Sequence, residues 1–410
     1  MSYRTILTRQ TGAWALTASM TRLPVAMAPL AMVFLGHGAT GGYSTGSVLA
    51  AFFIAGEVVG AWALGTFLHP RRLRLHLSAG LAVGAAAFTA LALWPDSAPP
   101  VLAAASFVAG GAPAASPGAL RTLLTSVVGD KDVARAFSAD SVLTELVWLA
   151  APGLVVLLAL QAGPGVPMAV CALCLVLGTA MVFTLRSARA VEADAGASGG
   201  RAPTSVVLSG WPIYVTSAAA MSLMAVSELV LTPLLQYRGL PVGLAGVLLM
   251  VFAGLSALGA FIYGLRSWPG TARTHSLVCL VGTAVGITVV ALVPGLTGIV
   301  TGFLAAGVLQ AVVMVTRNLS LREALPSSAH TAGYSVMYAV QGIGYSLSAV
   351  FAAVMLDRST PSAAILTGVT FTLLLTAVSS LAERRAHPAA EPLPAENQCE
   401  TCGTPGGTPS

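Results

Sequence analysis

The sequence predicts an all-helical integral membrane protein that crosses the bilayer twelve times. Three observations predict it. Of 410 residues, 56% are hydrophobic and only 9% are charged, a balance that no soluble fold carries without aggregating. The apolar residues gather into twelve runs, at 11–36, 44–68, 75–94, 99–122, 135–160, 164–185, 208–235, 241–265, 274–293, 295–316, 331–356 and 360–382. Each is close to the about 20 residues that a helix needs to cross a hydrocarbon core about 30 Å thick. Finally, seventeen of the twenty Lys and Arg residues fall on one side of those runs.

The elements follow in order. Span one comes after Arg4 and Arg9, is longer than the apolar core of a secretory leader, and continues through Arg22; it reads as a span. Span two runs to Gly65 and a loop with Pro70, and span three follows Arg71, Arg72 and Arg74. Span four ends at Arg121, and span five starts after Lys131 and carries Pro152 and Gly153. Span six ends before Arg186. The stretch 186–207 breaks the apolar rhythm with Ala, Gly, Ser and scattered charge, and reads as a linker. Six further spans follow. The division is therefore a six-helix bundle at 1–185, the linker at 186–207, a second six-helix bundle at 208–382 and a tail at 383–410. The tail is rich in Pro, Gly, Glu and Thr, and disorder is expected there.

Basic residues are retained on the cytoplasmic side during insertion. Only Arg238 and Arg358 fall on the opposite side, and Arg22 lies inside a span. Both termini are thus expected in the cytoplasm, with the linker. The net charge of +5 is a by-product of this loop charge, and no nucleic-acid partner is read from it. The five cysteines form no framework: Cys171 and Cys174 lie in a span, Cys399 and Cys402 in the tail. A structural zinc wants four convergent ligands, so no metal is expected.

The halves read as a repeat. Gly65 and Pro70 recur as Gly264 and Pro269 at an offset of 199. Arg121 with Ala136-Phe137-Ser138 recurs as Arg317 with Gly333-Tyr334-Ser335 at 196 to 197. Parallel six-span repeats around a central site describe one transporter architecture. On these residues the chain resembles a twelve-span member of the major facilitator superfamily, over residues 1 to about 385. That superfamily's loop after span two reads Gly, three residues, Asp, Arg, one residue, Gly, one residue, Arg. Gly65 and Arg74 match it, while His69 stands at the acid position and Pro70 at the next basic one. Ala150-Ala151-Pro152-Gly153 is a degenerate form of the Gly-Pro motif ending span five in drug:proton antiporters, and Ala136 to Pro152, with Asp140, Glu145 and Trp148, resembles span five of bacterial efflux members. The resemblance implies a multi-pass protein of the bacterial cytoplasmic membrane, a monomer without cofactor, energised by a proton gradient. It implies conformational roles for Gly65, Arg74, Arg121, Pro152, Gly153 and Arg317.

Charges inside the bilayer cost at least a few kcal/mol and persist when paired, wet or functional. Arg22, Glu57 and Glu145 reach similar mid-membrane depth at 1.5 Å per residue. A buried Arg22–Glu145 pair is the first expectation, with Glu57 as the rival partner. Glu57, Asp140, Glu145 and Glu228 outnumber Arg22. The acid beside Arg22 is expected to stay ionised and the others to exchange a proton, as coupling to a proton gradient requires. Arg121 and Arg317, near span ends, are expected to snorkel to the interface.

Candidate substrate contacts come from helical stripes. On span seven, Tyr214, Ser217, Met221 and Glu228 share a face; on span eleven, Tyr334, Tyr338, Gln341 and Tyr345 do. Gln310 is placed on the same cavity from span ten, and Trp148 lies one turn from Glu145. An aromatic beside an acid suits a lipophilic cation, and Met adapts to varied ligands. No Gly-rich phosphate loop or catalytic triad is visible, so neither ATP hydrolysis nor other enzymatic chemistry is expected. The expectation is a proton-coupled exporter of small amphipathic or drug-like molecules. The alternatives are a carrier of a defined sugar, peptide or organic anion, or a non-transporting receptor on the same fold.

The charge split makes the topology testable. A cysteine placed at Ser198 should resist an impermeant thiol reagent added to intact cells, and one at Ser359 should react; the opposite pattern would reverse the orientation.

Overall fold

The computed structural model describes residues 3–40, 43–67, 70–197 and 202–386. Among the described residues, twelve helical segments are long and apolar enough to cross a membrane. Spans one to six are Arg9–Gly38, Ser44–Thr66, Leu73–Leu93, Pro99–Val127, Asp130–Gln161 and Val166–Thr184. Spans seven to twelve are Trp211–Tyr237, Leu244–Leu265, Ala272–Leu292, Gly295–Ala324, Ser327–Arg358 and Pro361–Glu383. No strand occurs among the described residues. With an even number of spans, both ends of the bundle lie on one face, called here the terminal face; the opposite one is the far face.

Several elements differ from the sequence expectation. Span ten continues through Arg317 and Arg322 because both guanidinium groups find carboxylate partners and need not leave the helix. The helix of span twelve runs on to Ala386, so Glu383 belongs to the bundle and not to a disordered tail. The rest of the tail, with Cys399 and Cys402, and also His69 and Ser198, lie outside the described residues. The linker holds two helices of its own, Arg186–Ala197 and Thr204–Ser209. Span four is two helices, Pro99–Gly111 and Ser116–Val127, separated by a turn at 112–115. Two glycines precede the break, and Pro113 has no N–H to donate to the helical ladder. Prolines elsewhere, at Pro24 and Pro29 in span one, Pro152 in span five and Pro233 in span seven, are absorbed within continuous helices.

Each half has its own apolar core. One joins Met27, Phe53, Leu81, Phe88 and Leu120 of spans one to four with Leu175 of span six. The other joins Leu223, Val230, Phe252, Ile287 and Phe303 of the second half. Lipid offers no hydrophobic drive between helices, so close approach at small residues carries the packing. A Cβ on Gly60 would lie 2.1 Å from the carbonyl oxygen of Gly111, so spans two and four touch backbone to backbone. The repeat reproduces this crossing: a Cβ on Gly259 would lie 1.8 Å from the Val308 oxygen. On the far face, Arg238 donates to the carbonyls of Val290, Ala291 and Val293 at 2.8–2.9 Å. It thereby caps the end of span nine, where a cation also meets the negative end of the helix.

A third core joins the halves at the terminal face. Val133 and Phe137 of span five pack with Ile213, Ala311, Tyr334 and Met337. The Phe137 and Tyr334 rings, at repeat-equivalent positions, meet edge-on at 5.9 Å. Two further contacts obey the same symmetry. A Cβ on Gly65 would lie 2.1 Å from that of Ser335, and a Cβ on Gly264 would lie 2.7 Å from that of Ser138. The glycine closing span two of each half therefore receives the serine opening span five of the other half. Tyr3 adds a stacked contact with Phe261 at 4.8 Å and donates to its carbonyl. Arg322 meets Asp130 at 2.8 Å, and Thr331 donates to Thr122 at 3.1 Å.

Candidate functional site

The interior acids fall into two groups, one facing cations and one facing hydroxyls. Asp140 is 1% exposed and takes two arginines. Arg22 Nη2 lies 2.5 Å from Oδ1, and Arg121 Nε lies 3.3 Å from Oδ2. Arg22 Nη1 also donates to Thr144 Oγ1 at 3.0 Å. The expected Arg22–Glu145 pair is therefore corrected: the partner is Asp140, and neither Glu145 nor the rival Glu57 takes the role. The reason is azimuth. Asp140 and Glu145 are five residues apart, about 140° around the helix at 3.6 residues per turn. Similar depth does not put them on one face.

Three glutamates face hydroxyls. Ser256 of span eight donates to Glu145 Oε1 at 2.8 Å. Tyr338 of span eleven donates to Glu57 of span two. Tyr345 donates to Glu228 at 3.2 Å within the second half. The first two bonds join the halves. Glu57 and Ser256 stand at the offset that relates Gly65 to Gly264. Spans two and eight thus each reach across to span eleven or five of the other half through one carboxyl–hydroxyl bridge. Both carboxyls belong to the first half. A carboxyl in such a bridge can work in either state, accepting the hydroxyl proton when ionised and donating its own when protonated.

The other candidate residues separate by position. Met221, Glu228, Tyr338 and Tyr345 are half-buried, as an interior surface that contacts a ligand requires. Tyr214 and Tyr334 are buried, and their hydroxyls donate to the Val207 and Asn318 carbonyls. They anchor helices at the terminal face and do not line an open cavity. Gln341 is buried with its amide on Met314 Sδ at 3.6 Å, and Gln310 is buried with its amide on the Ala220 carbonyl at 3.4 Å. Trp148 is 50% exposed. Pro152 and Gly153 lie on an exposed stretch of an unbroken helix, and no neighbour lies within 4 Å of a Cβ built on Gly153.

The terminal-face arginines are also corrected. Arg317 is fully buried and does not snorkel; it shares Glu383 with Arg273, each at 3.3 Å. Arg121, its repeat equivalent, is paired with Asp140. Arg74 takes Glu192 of the linker helix, with its Nε 2.6 Å from Oε2 and its backbone N–H on Oε1 at 2.9 Å. An acid from the linker thus meets the arginine in a chain whose loop after span two has no acid at position 69. Sequence reasoning missed Ser256, Glu192 and Glu383. The repeat offset from Glu57 marks Ser256, but a lone serine in an apolar span reads as packing.

No protein-family model and no curated protein matches the sequence. Solved structures do match its fold. The crystal structure of the human organic anion transporter MFSD10 (TETRAN) aligns with a TM-score of 0.69 at 14% identity, covering 91% of this chain and 100% of that one. A bacterial homologue of the iron transporter ferroportin, in an outward-facing state with soaked iron, aligns at 0.72 and 14% identity, over 93% and 99%. The major facilitator superfamily proton:xylose symporter XylE, bound to 6-bromo-6-deoxy-D-glucose, aligns at 0.67 and 12% identity, over 90% and 95%. The fold is therefore the twelve-helix fold of major facilitator transporters.

Asp140→Asn should leave two buried guanidinium groups without a counter-charge. Breaking a buried pair from one side costs about 3–5 kcal/mol, so the detergent-solubilised variant should melt well below the native protein. Asp140→Glu should recover most of the loss. An unchanged melting curve for Asp140→Asn would show that this cluster does not hold the bundle.

Proposed function

We propose that the protein is a proton-coupled secondary transporter that exports small amphipathic molecules by alternating access. It lies in the bacterial cytoplasmic membrane with the terminal face in the cytoplasm, and the state described is the one closed to the cytoplasm. The single observation that carries the reading is the pair of bridges, Tyr338 to Glu57 and Ser256 to Glu145. Both connect the moving halves, and both contain a group that binds a proton.

A hydrogen bond to an ionised carboxylate is roughly twice as strong as one between neutral groups. Ionised Glu57 and Glu145 therefore favour the closed terminal face. Protons arriving from the far face neutralise both carboxyls and weaken the bridges, so the halves can part on the cytoplasmic side. There the protons leave and the substrate enters. Proton entry and substrate exit are thereby linked in opposite directions. Asp140 faces two arginines and no hydroxyl of the other half, so it is not one of the bridging carboxyls. Glu228, Met221 and Tyr345 offer a lipophilic cation an acid, an adaptable thioether and a ring on the second half.

One observation favours a second reading, a carrier of organic anions. Arg22 and Arg121 share a single carboxylate, and Arg121 Nη1 is buried without a hydrogen-bond partner. That leaves one positive charge in excess beside the bridges. The human neighbour is described as an organic anion transporter.

Flux in proteoliposomes separates these readings. With an imposed pH gradient, Glu57→Gln and Glu145→Gln should each abolish gradient-driven uptake of a cationic dye while substrate exchange without a gradient persists. Ser256→Ala, which removes one charge-assisted hydrogen bond of about 1.5–3 kcal/mol, should slow gradient-driven flux by about tenfold or more. Native pH-driven flux in both glutamine variants would overturn the coupling. Transport of organic anions alone, lost on Arg121→Gln, would establish the second reading.

A further inference from the structure

A groove of about 660 Å³ lies between spans two and three, with span four as its floor. It belongs to neither bridge and lies outside the central site. Gly60 and Leu64 line it from span two, His76, Ala79 and Val83 from span three, and Phe107 from span four. Its walls are almost wholly apolar, and Val83 and Leu64 are 50% and 39% exposed. In a spanning protein such a surface faces acyl chains.

The groove lies beside the break in span four. The residues of the break, Ala112, Pro113 and Ser116, form part of its lining. The second half shows what an unbroken helix does there. Gly80 and Gly84 recur as Gly282 and Gly286 at one common spacing, and Leu309 stands at the repeat position of Pro113. Span ten is continuous through Leu309, and a Cβ on Gly282 would lie 2.6 Å from Leu309 Cδ1. The leucine side chain covers the glycine in the second half. In the first half the broken backbone takes that place: a Cβ on Gly80 would lie 2.4 Å from the Ala112 carbonyl oxygen, and one on Gly84 would lie 3.1 Å from Pro113 Cδ.

Polarity is graded along the groove. Its inner end, at Gly56 and Val83, is apolar. Its end toward the terminal face carries His76, and the exposed Arg71 and Arg72 follow within two turns, just before span three. From Val83 to His76 the groove spans about 10 Å at 1.5 Å per residue. An apolar channel of that length, opening on cations at the headgroup level, has the charge order of one anionic phospholipid.

We infer that the groove between spans two and three is a binding site for an anionic phospholipid, with one acyl chain against Gly60, Ala79 and Val83 and the phosphate at Arg71 and Arg72. The small and exposed Ala79, with Val83 and Leu64, gives the chain its surface, and the basic turn before span three selects the headgroup. A basic segment at a membrane surface gains about 1 kcal/mol per Lys or Arg toward anionic lipid. That magnitude, over two arginines, gives a preference over zwitterionic lipid of about tenfold to thirtyfold.

Two measurements on the full chain test this. In liposomes holding phosphatidylglycerol with a photoreactive diazirine on one acyl chain, illumination and peptide mapping should place the label on residues 56–64 and 76–83, above any other span. Phosphatidylcholine with the same acyl chain should label them about tenfold less. Labels spread evenly over the spans would overturn the proposal without needing any variant. Native mass spectrometry of the purified protein gives the second readout. Ala79→Leu with Val83→Phe fills the groove from exposed positions and should remove the retained phosphatidylglycerol. Arg71→Gln with Arg72→Gln should keep a lipid but lose the preference for the anionic headgroup. Retention in the filled variant equal to that of the native protein would overturn the acyl-chain site, and an unchanged headgroup preference in the arginine variant would overturn the phosphate contact.

Discussion

At the terminal face the two halves are joined where two pairs of helices approach closely. Spans two and eleven cross where Gly65 meets Ser335, and spans eight and five cross where Gly264 meets Ser138. The second crossing is the repeat image of the first. Any side chain at either glycine would drive the helices apart, since each facing serine is fully buried and has nowhere to move. The other contacts between the halves depend on that approach. Phe137 reaches Tyr334, Tyr3 reaches Phe261, and deeper in the bundle Tyr338 and Ser256 come within hydrogen-bonding distance of Glu57 and Glu145. Tight packing at the terminal face therefore sets the geometry of the interior chemistry.

That chemistry divides its charges by partner. Asp140 lies between two guanidinium groups, at 2.5 Å from Arg22 and 3.3 Å from Arg121. Glu57 and Glu145 face hydroxyls instead, and they are the carboxyls that exchange a proton in the proposed cycle. The first half provides both kinds within a few turns of span five, with Asp140 turned toward spans one and four and Glu145 turned toward span eight. The second half provides the hydroxyls of Ser256 and Tyr338. Acids and hydroxyls are thus divided asymmetrically on a symmetric pair of crossings, and in the proposed cycle proton binding to one half acts on the contact between both.

Most of the architecture was legible in the sequence, for identifiable reasons. Hydrophobic run length located all twelve spans, because the bilayer thickness leaves helices little choice. The offsets from Gly65 to Gly264 and from Ser138 to Ser335 revealed the repeat, and the structure makes those four residues partners. What could not be read was azimuth and pairing across distance. Depth along the helix suggested Arg22 with Glu145, while rotation about span five gives Arg22 to Asp140. Arg121 and Arg317 looked like interfacial snorkels because their partners lie 19 and 66 residues away along the chain. Tyr214 and Tyr334 follow the helical stripes as expected, yet they end in the packed terminal face. A stripe names the side of a helix and leaves open whether that side meets a cavity or a neighbour.

The measurement that tests this account most directly is the distance between spans two and eleven at the far face. Spin labels at Val48 and Val350, both exposed, in a background with the native cysteines replaced, would report it by pulsed electron resonance. The account predicts a population dominated by the long separation of the state closed at the terminal face. It predicts that Gly65→Val or Gly264→Val, by forcing that face apart, moves the population to a shorter far-face distance. Identical distance distributions in the native protein and both variants would contradict the claim that the two glycine crossings govern which side of the protein is open.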